Sequence, residues 1–226
     1  MLRRFVARSI ELTKKALSPD MIYPPSEREL FRFASESDLR RWVVYSDSQY
    51  GGQTEASLSL NVDGRNTTGV FAGHLSTEIS EGKGGSLARA TRLKRSGFTG
   101  VRTADGEGVM DLEPFNTIAM RIHGDGRWYI CSLRTDSWVN TPGTGQYNTW
   151  QAYIIAPKDR WAVVKVPLDR YMLTWRGKFL KTGMEMNPAR VVGMGWSLAA
   201  NGGPGEGVSG PGPFRLELDW VQGLRE

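Results

Sequence analysis

Side chains able to do covalent chemistry are few in this chain of 226 residues. There is one cysteine, Cys131, and there are two histidines, His74 and His123. A lone cysteine excludes an internal disulfide and any multi-cysteine zinc or iron–sulfur centre, and two histidines exclude metal sites built on several imidazoles. Cys131 with His123 is the pair from which thiol chemistry would be built. Yet Cys131 sits inside a strand pattern, where cysteine acts as a small core residue, whereas a reactive thiol needs an exposed, electropositive setting. Paired carboxylates are the other route. Asp47, Asp125, Glu217 and Asp219 would suit glycoside hydrolysis if two of them met across a sandwich. Glu217 and Asp219 read instead as the outward face of a strand, and Asp125 as part of a turn, so solvated faces and turns are the plainer expectation. Gly205-Glu206-Gly207-Val208-Ser209-Gly210 has the spacing of a dinucleotide-binding loop. That mechanism needs a strand before and a helix after. Pro211-Gly212-Pro213 comes next, so no such site, and no cofactor, is expected. Asn66-Thr67-Thr68 is a glycosylation pattern with meaning only on a secretory route.

Eight tryptophans add a different kind of chemistry. Trp42, Trp196 and Trp220 fit core positions. Trp128, Trp138, Trp150, Trp161 and Trp175 are open to either role, because exposed rings on a sheet serve sugar faces or protein interfaces.

The elements that must position these residues are mostly strands. Apolar residues make up 39% of the chain and glycine contributes 27 residues, without a collagen-like period. The clearest strand is 214–221, where Phe214, Leu216, Leu218 and Trp220 face one way and Arg215, Glu217 and Asp219 the other. Val192, Met194, Trp196 and Leu198 alternate in the same manner, as do Ile118, Met120 and Ile122. Asp125-Gly126 favours a tight hairpin into a strand over 127–134. Further strands are expected at 57–62, 67–75, 86–93, 98–102, 148–156 and 160–166. About ten short strands with turns between them imply an all-β sandwich or jelly roll. One short helix is expected, capped by Ser35 with Asp38 three residues on, turning Leu39 and Trp42 to the core. The Gly/Pro-rich stretch 201–213 is a loop.

Charge separates the N-terminus from the body. Arg3, Arg4, Arg8, Lys14 and Lys15, with Glu11 as the one acid, fall in residues 1–19, leaving 24 basic and 23 acidic groups for the other 207 residues. A nearly neutral body argues against a nucleic-acid partner. Residues 1–18 read as an amphipathic helix, with Phe5, Ile10 and Leu17 on the apolar arc and the basic residues opposite. Pro19 stops it. This composition suits a mitochondrial import signal, or a retained helix lying on an anionic membrane or a partner protein. There is no apolar h-region for secretion and no apolar run of spanning length. Residues 19–30, with Pro24 and Pro25, read as a linker, and 31–226 as one β-sandwich domain.

An ordered set of stretches carries a family resemblance. It runs from Phe31-Arg32-Phe33 and Trp42 through Tyr45-Ser46-Asp47 with Gly51-Gly52, Phe71-Ala72-Gly73-His74-Leu75-Ser76 and Gly84-Gly85-Ser86. The most specific part is Arg121-Ile122-His123-Gly124-Asp125-Gly126-Arg127-Trp128-Tyr129. Leu133-Arg134-Thr135, Trp161, Val164 to Pro167, Arg176-Gly177, Gly193 to Ser197 and Gly212 to Trp220 complete it. Over roughly residues 30–223 the chain resembles the complex I intermediate-associated protein family, assembly factors of mitochondrial NADH:ubiquinone oxidoreductase. The resemblance implies a galactose-binding-like jelly roll without catalytic activity. It implies a chaperone that holds a membrane-arm intermediate on the matrix side of the inner membrane, beside other assembly factors, and leaves the finished enzyme. About thirty residues precede the matching body, which leaves the one helix to serve as import signal, as membrane or partner anchor, or as both. Sugar-binding relatives of the fold use loop ends of the sandwich. Asp47, Gly51, Gly52, Asp125, Arg127 and Arg176 are therefore the candidates for a ligand or partner contact. Arg3, Arg4, Phe5, Arg8, Ile10, Lys14, Lys15 and Leu17 are those for a membrane or partner. A carbohydrate- or small-ligand-binding module stays open as the alternative.

Overall fold

The computed structural model describes residues 25–64, 66–79, 96–136, 147–175, 178–201 and 210–226. The expected N-terminal helix, the strand at 86–93, the loop segment 205–209, Trp138 and Arg176 lie outside them.

Among the described residues thirteen strands form two antiparallel sheets. In chain order they are β1 (Glu27–Arg32), β2 (Trp42–Ser46), β3 (Glu55–Asp63), β4 (Asn66–Leu75), β5 (Phe98–Thr103), β6 (Thr117–His123) and β7 (Trp128–Asp136). Then come β8 (Tyr147–Ile155), β9 (Trp161–Pro167), β10 (Met172–Trp175), β11 (Lys178–Phe179), β12 (Val191–Ala199) and β13 (Gly212–Leu224). One sheet runs β3-β4-β13-β6-β9, with β1 also on β13; the other runs β11-β10-β8-β7-β12-β5-β2. This is the jelly-roll β-sandwich that the alternating sequence implies. The short helix α1 (Glu36–Leu39) is where Ser35 places it, with the Ser35 hydroxyl accepting the Asp38 amide and Leu39 buried.

Period-two alternation makes the core. In β7, Tyr129, Cys131, Leu133 and Thr135 are buried while their neighbours are half-buried. In β13, Phe214, Leu216 and Leu218 are buried as expected. Each such side chain contributes roughly 1.5–3 kcal/mol by leaving water. Between the sheets Phe31, Phe33, Trp42 and Trp196 interlock, with Trp42 and Trp196 centroids 5.2 Å apart and Phe31 edge-on to Trp42 at 4.9 Å.

Four details correct the sequence reading. Trp220 is half-buried, and Val221 takes the core position instead, because the register against β6 shifts between Leu218 and Trp220. An extra residue in one strand of a pair reverses the facing of the residues after it. The same device between Val191 and Gly193 buries Val191 rather than Val192. Asp125-Gly126 does not close a hairpin: β6 and β7 belong to different sheets, and the turn carries the chain across the sandwich. Finally, Glu27–Leu30 is strand, not linker, because β13 offers it a free row of backbone partners.

Cys131 is fully buried, its sulfur 3.2 Å from the Tyr171 hydroxyl. Burial pushes the thiol up to about 12, against the opposing pull of that hydroxyl. Cys131→Ser is expected to cost about 1–2 kcal/mol of stability, through a more polar atom in an apolar site. The native thiol should also resist aromatic disulfide reagents at pH 8 until denaturant opens the core; fast labelling of the folded chain would contradict this placement.

Candidate functional site

Of the loop-end candidates, Asp47, Gly51, Gly52, Asp125 and Arg127 lie at one end of the sandwich, and Arg176 lies outside the described residues. Strand registers place Ser46, Thr99, Trp128 and Ile155 at that end of the seven-stranded sheet, and Glu55, His74, His123 and Trp161 at that end of the other. There, Asp47, Asp125 and Arg127 are committed to holding loops together. Asp47 is fully buried; its carboxylate accepts the Thr54 amide at 3.0 Å and also the Gly97 amide, so it ties β3 and β5 to the end of β2. Gly51 takes φ 95° to end the tight turn that Asp47 begins. A Cβ on Gly52 would lie 2.2 Å from the Asp47 carboxyl carbon. The glycine pair is thus required by the turn and by Asp47 itself.

Asp125 works in the same way. Oδ1 accepts the Arg127 amide at 2.9 Å, and Oδ2 accepts the Tyr129 hydroxyl at 3.0 Å and the Arg215 amide at 2.8 Å. Burial, then the Asp125 charge, holds the Tyr129 hydroxyl well above its ordinary range, so it stays a proton donor. Arg127 is buried and donates to the carbonyls of Pro213 at 3.1 Å and Gly210 at 2.8 Å. These groups staple the sheet-crossing turn to the start of β13.

A polar cleft that sequence reasoning missed lies on the outer face of the β13 sheet. Arg32, Asn61, Thr68, Arg121, Trp161, Glu217 and Asp219 are among its lining residues, and its volume is about 290 Å³. Its geometry comes from β13. One edge of that strand pairs with β4 from Gly212 to Leu218 and with β1 from Trp220 to Leu224, so the β3–β4 hairpin and β1 diverge where one hands over to the other. Glu217, expected on a solvated face, is only 7% exposed. Its Oε1 accepts Asn61 at 2.9 Å and Thr68 at 2.6 Å, and its Oε2 accepts Arg215 at 2.7 Å. Burial works to raise this carboxyl, but those three donors outweigh it and hold the group below its ordinary value. Asp219 bridges Arg32 at 3.2 Å and Arg121 at 2.5 Å. The Arg121 guanidinium also lies 4.5 Å from the Trp161 ring centroid, and Trp161 meets His123 edge-on at 5.5 Å. Asn66 and Thr67 of the glycosylation pattern line the same cleft. The sequence signal is present in the alternation Arg215, Glu217, Asp219. What it lacks is the neighbour: Thr68 reaches Glu217 only because Gly69 pairs with Leu218.

This arrangement can hold a ligand by hydrogen bonds, carboxylates, two guanidinium groups and one aromatic ring. Among the described residues no group of three or more His, Cys, Asp or Glu gathers as a metal site, and no helix is long and apolar enough to cross a membrane.

Comparison with known proteins bears on both fold and family. In fold, the chain is similar to a family 11 carbohydrate-binding module of a Clostridium thermocellum cellulosomal cellulase, with TM-score 0.59 at 11% identity over 88% of this chain and 95% of that one. A family 30 module from a cellulosomal cellulase of the same organism gives TM-score 0.54 at 14% identity, over 88% and 98%. Identities this low show the sandwich alone. In sequence, the chain is 27% identical over 213 residues to the protein named complex I intermediate-associated protein 30, mitochondrial, of Drosophila melanogaster, covering 90% of this chain and 65% of that protein. Its namesake in Mus musculus is 25% identical over 200 residues, covering 86% and 55%. The chain therefore spans between about half and two thirds of the length of these two relatives. The family model of complex I intermediate-associated protein 30 matches residues 31–218, from the first core phenylalanine to the middle of β13, and the chain belongs to that family.

Proposed function

We propose that this chain is a non-enzymatic assembly factor of mitochondrial respiratory complex I, one that binds and stabilises a membrane-arm intermediate. Its partners are membrane-arm subunits of that intermediate and other assembly factors, met on the matrix side of the inner membrane. The observation that carries this reading is the family match over residues 31–218. The chemistry is compatible with it. Cys131 is held as a protonated core thiol, and Asp47 and Asp125 are engaged by backbone amides. In this reading residues 1–18 bring the chain to its membrane: Phe5, Ile10 and Leu17 are buried in the interface while Arg3, Arg4, Arg8, Lys14 and Lys15 meet lipid phosphates or a partner. Exposed basic residues near an anionic leaflet contribute roughly 1 kcal/mol each.

Loss of the gene is expected to deplete mature complex I on native gels while other respiratory complexes persist. Re-expression of Cys131→Ser should restore it; an intact complex I in the deletion would refute the assembly role. Removal of residues 1–18 is expected to abolish most binding to cardiolipin-containing vesicles, and raised salt to weaken binding of the intact chain, since the charges are screened. Undiminished binding after the deletion would defeat the lipid role of that segment.

A second reading, a carbohydrate- or small-ligand-binding module, is favoured by one observation: Trp161, Asn61, Thr68, Glu217 and Asp219 line one cleft. A hydroxyl-rich ligand finds donors, acceptors and a ring there. Calorimetric titration with short oligosaccharides is expected to give heat that Asp219→Asn abolishes, and absence of heat across a broad sugar panel would remove the reading. Glu217 has a separate signature in stability. Its folded-state value is depressed, so its stabilising effect is present above the unfolded carboxyl value and is lost as pH falls through the folded one. Glu217→Gln should accordingly flatten the acid side of a pH–melting curve, below about pH 4.5.

A further inference from the structure

Two sheet edges lie open beside each other along one side of the sandwich. β9 ends the six-stranded sheet, and among the described residues it pairs only with β6. β10 pairs with β8 from Met172 opposite Gln151 to Thr174 opposite Thr149, so residues 152–155 of β8 extend past it. Between the two edges runs a groove of about 440 Å³, lined in part by Ala152, Ile154 and Ile155 from one sheet and Val164, Val166 and Pro167 from the other. Ile154 pairs with buried Tyr129, and Val164 with buried Met120, so both point to the interior. The groove is thus core surface left uncovered, and apolar surface of this kind marks a contact.

An extra strand is a poor occupant. Leu168 donates to the Asn116 carbonyl at 2.7 Å, so by antiparallel alternation Val166, Val164 and Ala162 also bond to β6. The outward backbone groups are those of Val163, Lys165 and Pro167. Pro167 has no N–H to offer, and Lys165 sets a charge on the edge; both guard against strand addition. A helix that offers side chains fits better. Residues 1–18 read as such a helix, with Phe5, Ile10 and Leu17 on one apolar arc. They enter the sandwich beside this groove. The Ser26 carbonyl accepts the Arg225 amide at 2.8 Å, and the next residue, Glu226, accepts Lys165 of β9. From Glu27 through Leu224 and Thr117 to Pro167 is three strand spacings, about 14 Å. Residues 19–25, extended at roughly 3.3 Å each, reach about 23 Å. A helix over 1–18 would be about 27 Å long, and β9 is about 23 Å.

We propose that, away from the membrane, residues 1–18 pack by their apolar arc into the β8–β9 groove of their own chain. Leu17 lies toward Pro167 and Phe5 toward Ile155. The basic side faces water, clear of Lys165 and Arg170 on the rim. A short tether presents the helix at an effective concentration on the order of millimolar, which a foreign segment must outcompete. The inference rests on the reading of residues 1–18 as an amphipathic membrane-binding helix and adds regulation to it. One arc cannot face the groove and a bilayer together, so the groove withholds the helix until lipid takes it.

The test uses the full chain with Cys131→Ser, Lys14→Cys and Val163→Cys, carrying a nitroxide at each new cysteine. Val163 is exposed on the outer face of β9, and Lys14 belongs to the basic side, so neither label sits in the contact. Pulsed spin-resonance measurement in buffer should give one narrow distance. Ile10→Asn, in the arc, should broaden it, as should Ile155→Asn, at an exposed position whose change leaves the melting temperature in place. In the otherwise native chain, Ile155→Asn should tighten cosedimentation with cardiolipin-containing phosphatidylcholine vesicles about fivefold, because the competent state is no longer withheld. A broad distance in the parent chain overturns the docking and leaves the assembly role intact. So does a narrow distance that survives Ile10→Asn. A narrow distance that vanishes on dilution with unlabelled chain makes the occupant a second copy and overturns the contact within one chain. Vesicle binding that Ile155→Asn leaves unchanged overturns the competition with lipid, while native-gel loss of complex I reports on the assembly role separately.

Discussion

One row of backbone hydrogen-bonding groups, along a single edge of β13, is divided between two strands. β4 takes the first half and β1 the second, while β6 pairs along the opposite edge, interrupted by a bulge. Unpaired strand groups buried in a sandwich are costly, so both halves must be filled. Filling them from different parts of the chain fixes most of the rest. It brings Phe31 and Phe33 over Trp42 and Trp196, which closes the core at that side. It splays β3–β4 from β1, which opens the polar cleft. It also sets where residues preceding Glu27 leave the sandwich.

The same constraint explains what is legible in the sequence. Alternation in β7, β12 and the first half of β13 requires only a two-residue period and one wet face, and those strands are where the pattern places them. Periodicity misplaces Trp220 and Val192 because a bulge leaves no mark in it; the bulge is decided by the neighbouring strand's register. β1 reads as linker because Glu27–Arg32 alternates poorly, and its pairing comes from the far end of the chain. Glu217 reads as a solvated acid because its partners, Asn61 and Thr68, are about 150 residues away in sequence. The resemblance carries the family and the sandwich; of the loop residues it points to for a site, Asp47, Asp125 and Arg127 also brace the loops.

The loop-end residues and the cleft residues divide the labour of the fold. Asp47, Asp125 and Arg127 accept or donate almost wholly to backbone groups, so their identity is tied to the shape of one end. Arg32 and Arg121 each pair with Asp219 on an open face, where exchange for a ligand's groups costs little because water is near. A partner or ligand that displaces Arg32 from Asp219 would leave the backbone of β13 untouched.

The central strand of the six-stranded sheet is also the last in chain order. β1, β4 and β6 all emerge before β13, so during synthesis or threading through a membrane they must wait with open edges until residues 212–224 arrive. Long-range pairing of this kind is slow and leaves strand edges exposed to wrong partners. A chain delivered N-terminus first therefore cannot complete this sheet while its C-terminal strand is still in transit. The six-stranded sheet closes only once residues 212–224 are present, and any factor that guards nascent edges before then acts on β1, β4 and β6.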